Sequence, residues 1–139
     1  MRETSLDAVR LTITARGTAS SAVVWERYAQ PALWPEWSPL IQSVQCSHRR
    51  LQTGSTGTVR GPANIGIDFV IVNFDETNLS WVWDVKVPVV GSTLRLDHFV
   101  GDDNGATSTS LTINGCAPYV VGYAPLAKLA LNKLVAGQA

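Results

Sequence analysis

The chain has 139 residues, of which 45% are apolar, and its 11 Lys and Arg balance its 11 Asp and Glu. This length and composition are typical of one globular domain with one core, and we expect residues 1–139 to form it. A net charge of zero argues against a nucleic-acid partner, because phosphate binding needs a surplus of basic groups. The chain also lacks an apolar run of about 18 residues, so stable membrane insertion is not expected. Its start, MRETSLDAVRL, lacks the apolar run of a signal peptide, which favours a cytoplasmic location.

The titratable and thiol side chains form no familiar catalytic or metal-binding motif. His48 and His98 are the only histidines, and neither belongs to an HxH or HExxH pattern. Cys46 and Cys116 form no CxxC pair and are expected to be free thiols. Phosphate-loop, GxGxxG and GxSxG motifs are absent as well. We therefore expect no bound metal and no cofactor.

The first predicted element is a strand over residues 9–16, VRLTITAR. Apolar and polar residues alternate strictly in it, which is typical of a strand with one buried face. The residues on the apolar face are Val9, Leu11, Ile13 and Ala15.

Two short helical pieces follow. Ser20 or Ser21 can cap a helix, because its hydroxyl oxygen accepts a free N–H of the first turn. This helix is predicted to run to about Ala29 and to stop at Pro31, since a proline disfavours helical geometry in the residue before it. A second helical piece fits between Pro31 and Ser38.

The middle of the chain is predicted to consist of strands. Trp81 and Trp83 alternate with polar or smaller residues, and so do Leu94, Leu96 and His98, so each set shares one face of its strand. The His98 side chain is therefore predicted to point toward the apolar side of the sheet. The predicted strands are residues 41–49, 54–61, 65–74, 79–87, 91–101 and 106–115.

The chain ends in an amphipathic helix. Apolar residues recur there at spacings of three and four: Tyr119, Tyr123, Leu126, Ala130 and Leu134. Pro118 suits a first helical turn. Pro125 does not suit a helix interior, which predicts either a kink there or a helix that begins near Ala124.

This order of elements predicts an α+β domain: one antiparallel sheet with helices on one face. A long helix that crosses a curved sheet encloses space, so a pocket between them is expected.

Three stretches resemble the polyketide cyclase/dehydrase branch of the START and Bet v 1-like (SRPBCC) superfamily. They are VWERYAQPALWPEWSPLIQSV at 24–44, LQTGSTGTV at 51–59, and LSWVWDV followed by GSTLRLDHFVGDDNGATSTSLTINGCAP at 79–118. The resemblance implies a helix-grip fold, in which a curved antiparallel sheet of about seven strands wraps around a long C-terminal helix, with two short helices after the first strand. The last helix is shorter and less charged than is common in that superfamily, which leaves the shape of the pocket mouth open.

The first functional hypothesis is a module that binds a small hydrophobic molecule, such as a lipid, an isoprenoid or a polyketide-like compound, in an internal cavity. Aromatic and aliphatic side chains predicted on the inward faces would contact it. These residues are Trp25, Tyr28, Trp34, Trp37, Phe69, Ile71, Trp81, Trp83, Leu94, Leu96, His98, Leu111, Tyr119, Tyr123 and Leu126.

The alternative is an enzyme. The resemblance implies a polyketide cyclase or aromatase, which needs an acid–base group and hydrogen-bond donors to an enolate. His98, Tyr119 and Tyr123 are the candidate catalytic residues. A further hypothesis is an interaction protein with exposed Trp34 or Trp37 as its docking surface. The sequence leaves open whether these two tryptophans plug or gate the cavity. It also leaves open the oligomeric state, with a homodimer as one option.

Overall fold

The computed structural model describes residues 8–88 and 92–137. The predicted strand over 91–101 therefore begins at a residue outside the described part. Two 3₁₀ turns also occur, at Pro31–Leu33 and Pro62–Asn64. The strands and helices are β1 Ala8–Gly17, α1 Ser21–Ala29, α2 Trp34–Trp37, β2 Ser43–Cys46, β3 Thr56–Arg60, β4 Gly66–Asp75, β5 Ser80–Lys86, β6 Thr93–Asp103, β7 Ala106–Cys116 and α3 Ala117–Leu134.

The seven strands form one antiparallel sheet in the order β1-β7-β6-β5-β4-β3-β2. Strands β2 to β7 each pair with their neighbour in the chain, and β1 pairs with β7 along its whole length. Helix α3 packs against β1 and β7, and α1 packs against β6 and β7. This arrangement confirms the predicted α+β, helix-grip architecture.

The two short helices form where the sequence predicts them. Ser20 caps α1, because its Oγ accepts the N–H of Val23 at 3.1 Å. The helix ends at Ala29, and Pro31 starts the 3₁₀ turn that leads into α2. The face of α1 that carries Tyr28 is fully buried.

The prediction that the last helix begins near Ala124 is wrong. Helix α3 begins at Ala117 and continues through Pro125 to Leu134. A proline at this position removes one hydrogen bond, to the carbonyl of Val121. Val121 is 64% exposed, so this turn faces water, which can satisfy the carbonyl. Pro118 lies in the first turn, where its missing N–H costs no helical bond.

A β-bulge in β4 changes which side chains face the core. The pairing of β4 with β5 shifts between Ile71 and Asn73. Phe69 and Ile71 are buried before the bulge, and Phe74 packs on the core after it. One extra residue therefore moves the inward face from odd to even positions.

No helix in residues 8–88 and 92–137 is both long enough and apolar enough to cross a membrane.

Candidate functional site

Two cavities lie between the sheet and α3. The larger has a volume of about 520 Å³ and the smaller about 30 Å³. Five residues line both and therefore form the partition between them: Ser38, Ile41, Trp83, Tyr123 and Ala130. The smaller cavity has room for about one water molecule, whereas the larger has the size of a ligand pocket.

The large cavity is lined almost entirely by apolar side chains. They come from β3 to β6, from the segments that flank β2, β3 and β5, and from α3 between Pro118 and Ala130. Among the described residues, its polar side chains are Ser38, Lys86, Tyr119 and Tyr123, and no Asp, Glu or His lines it. The main apolar lining residues are Leu40, Ile41, Val59, Ile65, Ile67, Trp83, Val85, Val87, Leu94, Leu96 and Leu126.

The small cavity lies within an aromatic cluster. The His98 ring stacks on Trp81, with 3.9 Å between ring centroids and 9° between planes. Tyr28 meets His98 edge-on at 5.2 Å, and Trp34 stacks on the Trp81 indole at 5.9 Å. Such offset and edge-to-face contacts stabilise the cluster beyond the effect of burial alone.

His98 is buried in this cluster and stays neutral at physiological pH. Its Nδ1 lies 3.3 Å from the carbonyl oxygen of Trp81. Burial lowers the pKa of His98 to about 3, because the imidazolium would lose its hydration. A histidine with this pKa is already neutral at pH 7, so it is a poor general acid there, and it is also a weak base. The environment therefore suits a packing role.

Tyr28 is fully buried and bonded within the core. Its Oη lies 2.6 Å from Oγ1 of Thr109, and Thr109 itself donates to the carbonyl of Phe99 at 3.0 Å. Tyr28 must therefore be the donor to Thr109. Burial raises the pKa of Tyr28 above its usual range.

Tyr119 and Tyr123 differ from Tyr28 in that their hydroxyls make no hydrogen bond to any residue that the structure describes. Tyr119 lines the large cavity, and Tyr123 lies in the partition. Although part of its surface borders the cavities, burial raises the pKa of Tyr123 to about 12. Tyr123 is therefore neutral at pH 7. The hydroxyl of each of these two tyrosines can donate a hydrogen bond to a bound molecule.

The predicted site residues divide into four groups. Those that line only the large cavity are Leu94, Leu96, Tyr119 and Leu126. Those that line only the small one are Tyr28, Trp34, Trp37, Trp81, His98 and Leu111. Trp83 and Tyr123 line both, and Trp25, Phe69 and Ile71 line neither. Of the candidate catalytic residues, His98 and Tyr119 therefore border different cavities.

The sequence reasoning missed several residues of the large cavity. Ile67 precedes Phe69 on the same face of β4, and Val85 follows Trp83 on the same face of β5. The strand alternation that placed Phe69 and Trp83 could have identified both. Ser38 gave no such signal, because it lies in the irregular segment after α2.

Trp34 and Trp37 are held by the backbone of α1. Trp34 is 1% exposed, and its Nε1 donates to the carbonyl of Tyr28 at 2.9 Å. Trp37 is half-buried and donates to the carbonyl of Arg27 at 3.0 Å. These bonds attach both indoles to the backbone of α1 beside the small cavity. Neither indole forms an exposed docking surface.

No group of three or more His, Cys, Asp and Glu side chains in the described ranges is placed to hold a metal ion. Cys46 and Cys116 are free and half-buried.

Solved structures of similar shape identify the fold. Ara h 8.0201 aligns with a TM-score of 0.69 at 10% identity, over 91% of this chain and 95% of its own. Major latex-like protein 151 from Panax ginseng aligns with a TM-score of 0.77 at 13% identity, over 92% of this chain and 95% of its own. The chain has the Bet v 1-like helix-grip fold. At this identity the similarity extends to the fold alone.

No protein-family model matches the sequence. No curated protein matches it either. The resemblance to the polyketide cyclase/dehydrase branch therefore stays a prediction.

Proposed function

We propose that the protein binds a small hydrophobic molecule, of lipid, isoprenoid or polyketide-like character, in the large cavity. The observation that carries the proposal is the cavity itself: about 520 Å³, with an apolar lining and few polar groups. Ligand pockets have volumes of roughly 300–1,000 Å³ and the same composition. Each Å² of apolar ligand surface removed from water contributes about 25 cal/mol to binding.

A binding role accounts for the contrast between the two ends of the interior. Around His98, aromatic rings fill the space and leave about 30 Å³. Around Leu94 and Tyr119, the same sheet and helix leave the much larger volume open. Open apolar space forfeits packing contacts, which an apolar ligand would restore.

The second candidate is a cyclase or aromatase. The hydroxyls of Tyr119 and Tyr123 favour it, because they bond to none of the described residues. Against it, His98 is neutral and borders only the small cavity. A poly-β-keto substrate tests this candidate: a product profile that changes in Tyr123→Phe, with folding intact, would support catalysis. We favour binding over catalysis, and we place the protein in the cytoplasm, without a nucleic-acid partner.

The experiment is a titration with the neutral fluorescent probe N-phenyl-1-naphthylamine. Ile67 lines the large cavity and Val70 lies exposed on the other face of the same strand, so they form a matched pair. We expect saturable binding by the wild type and by Val70→Trp, and at least tenfold weaker binding by Ile67→Trp, whose indole would occupy the cavity. Equal binding by the two variants would reject the cavity as the site.

A further inference from the structure

The inner end of the large cavity carries unused hydrogen-bond donors. The Tyr123 hydroxyl and the Ser38 hydroxyl both lie in the partition and bond to no residue that the structure describes. Trp83, in the same partition, is 7% exposed and carries a buried indole N–H that is likewise without a partner among the described residues. The Trp83 N–H is buried, whereas the hydroxyls of Tyr123 and Ser38 are not among the fully buried unpaired atoms of the described residues, so both hydroxyls reach open space. They are therefore available to donate to a bound group that accepts hydrogen bonds.

The electrostatics of this wall select a neutral acceptor. Every partition side chain is uncharged, and His98 behind it is neutral too. The only charged residue among the described lining residues is Lys86, which is exposed to solvent. A carboxylate at the inner end would therefore lose its hydration without gaining a cationic partner, which is costly. A carbonyl or hydroxyl oxygen needs only the donors that are present.

We propose that the ligand is a neutral, oxygenated apolar molecule whose carbonyl or hydroxyl oxygen binds at the inner end, accepting from Tyr123 Oη and Ser38 Oγ, while its apolar body fills the large cavity. This inference rests on the proposed function and specifies the chemistry of the ligand.

Three competitors of one ring system test it by displacement of N-phenyl-1-naphthylamine at pH 7. 2-Acetonaphthone carries a ketone, 2-isopropylnaphthalene has nearly the same shape without an oxygen, and 2-naphthoate carries a negative charge. We expect Tyr123→Phe to weaken the binding of the ketone by a factor of about five, which corresponds to the loss of one hydrogen bond. The affinity for the hydrocarbon should not change. Of the three competitors, the naphthoate should bind most weakly to the wild type.

Ser43→Ala is the matched control for Ser38→Ala, since Ser43 is exposed on β2 and lines neither cavity. This variant should leave the ratio of the affinities for ketone and hydrocarbon as it is in the wild type. Ser38→Ala is an independent variant outside α3, and it should lower that ratio by about two- to fivefold. Circular dichroism melts verify that each variant is folded.

The outcomes separate the two proposals. If both Tyr123→Phe and Ser38→Ala affect ketone and hydrocarbon by one common factor, or if naphthoate binds best, the neutral oxygen site is refuted while cavity binding stands. If none of the competitors displaces the probe, the neutral oxygen site is refuted, and if the probe itself does not bind, the proposed function is refuted as well. A selective loss of ketone affinity in the Tyr123 and Ser38 variants supports both.

Discussion

Acidification should destabilise the protein through His98. The folded protein holds this imidazole neutral down to a pKa of about 3, whereas in the unfolded chain it regains its ordinary value of 6.5. Below pH 6.5 the unfolded chain therefore binds a proton that the folded one does not, so the free energy of unfolding falls as the pH falls. The free energy of unfolding continues to fall until the pH nears the pKa of His98 in the folded protein.

The size of the effect follows from the two pKa values. Each pH unit between them costs up to about 1.4 kcal/mol, so one fully buried neutral histidine accounts for about 2 kcal/mol between pH 7 and pH 5. Other groups also titrate as the pH falls, so a variant without His98 is needed to separate the contribution of His98 from theirs. His98→Phe retains a flat ring to stack on Trp81 and has no titrating group.

The assay is urea unfolding of both proteins, followed by tryptophan fluorescence at pH 7, 6 and 5. We expect the wild type to lose about 2 kcal/mol more than His98→Phe over this range. Equal losses in the two proteins, or an NMR titration of the His98 ring with a midpoint near 6.5, would refute the burial argument and restore His98 as a candidate acid–base group.

Further predictions concern packing. Tyr28→Phe should lower the free energy of unfolding by about 1 kcal/mol, because it removes the hydrogen bond to Thr109. In a double-mutant cycle with Thr109→Val, the two losses of stability should be less than additive. Strict additivity would show that the two hydroxyls do not interact. A Cβ on Gly17 would overlap the carbonyl oxygen of Val135, so Gly17→Ala should lower the free energy of unfolding by about 1–3 kcal/mol, measured by thermal or urea unfolding. Gly122 lies in α3, and among the described residues a Cβ there would meet no atom outside its own stretch of helix within 4 Å, so Gly122→Ala should stabilise by about 0.5–1 kcal/mol. Equal effects of the two changes would contradict the contact between Gly17 and Val135.

The fold could be predicted because local patterns and global topology agree. The alternation in 79–87 placed Trp81 and Trp83 inward, and both are buried in the structure. The serine and proline signals around α1 predicted its bounds and offered Ser20 or Ser21 as the cap, and Ser20 is the cap in the structure. Each of these signals depends on a few neighbouring residues, which a single sequence displays directly.

Two features could not be predicted because they depend on distant contacts. Pro125 argued locally against a continuous helix, but the lost bond faces water and the helix is packed along β1 and β7. The division of the interior into two cavities depends on where α2 and α3 meet the sheet. Strand parity alone placed His98 and Leu94 on one face, but it could not assign them to different cavities.

The most direct test of ligand binding in the large cavity is an NMR spectrum of intermolecular NOEs between bound 2-acetonaphthone and the protein. We expect contacts from the ligand to Leu94, Leu96 and Ile67, with the acetyl methyl close to the Tyr123 ring. Contacts confined to exposed residues such as Phe99 or Val23, with none to the large cavity, would contradict it.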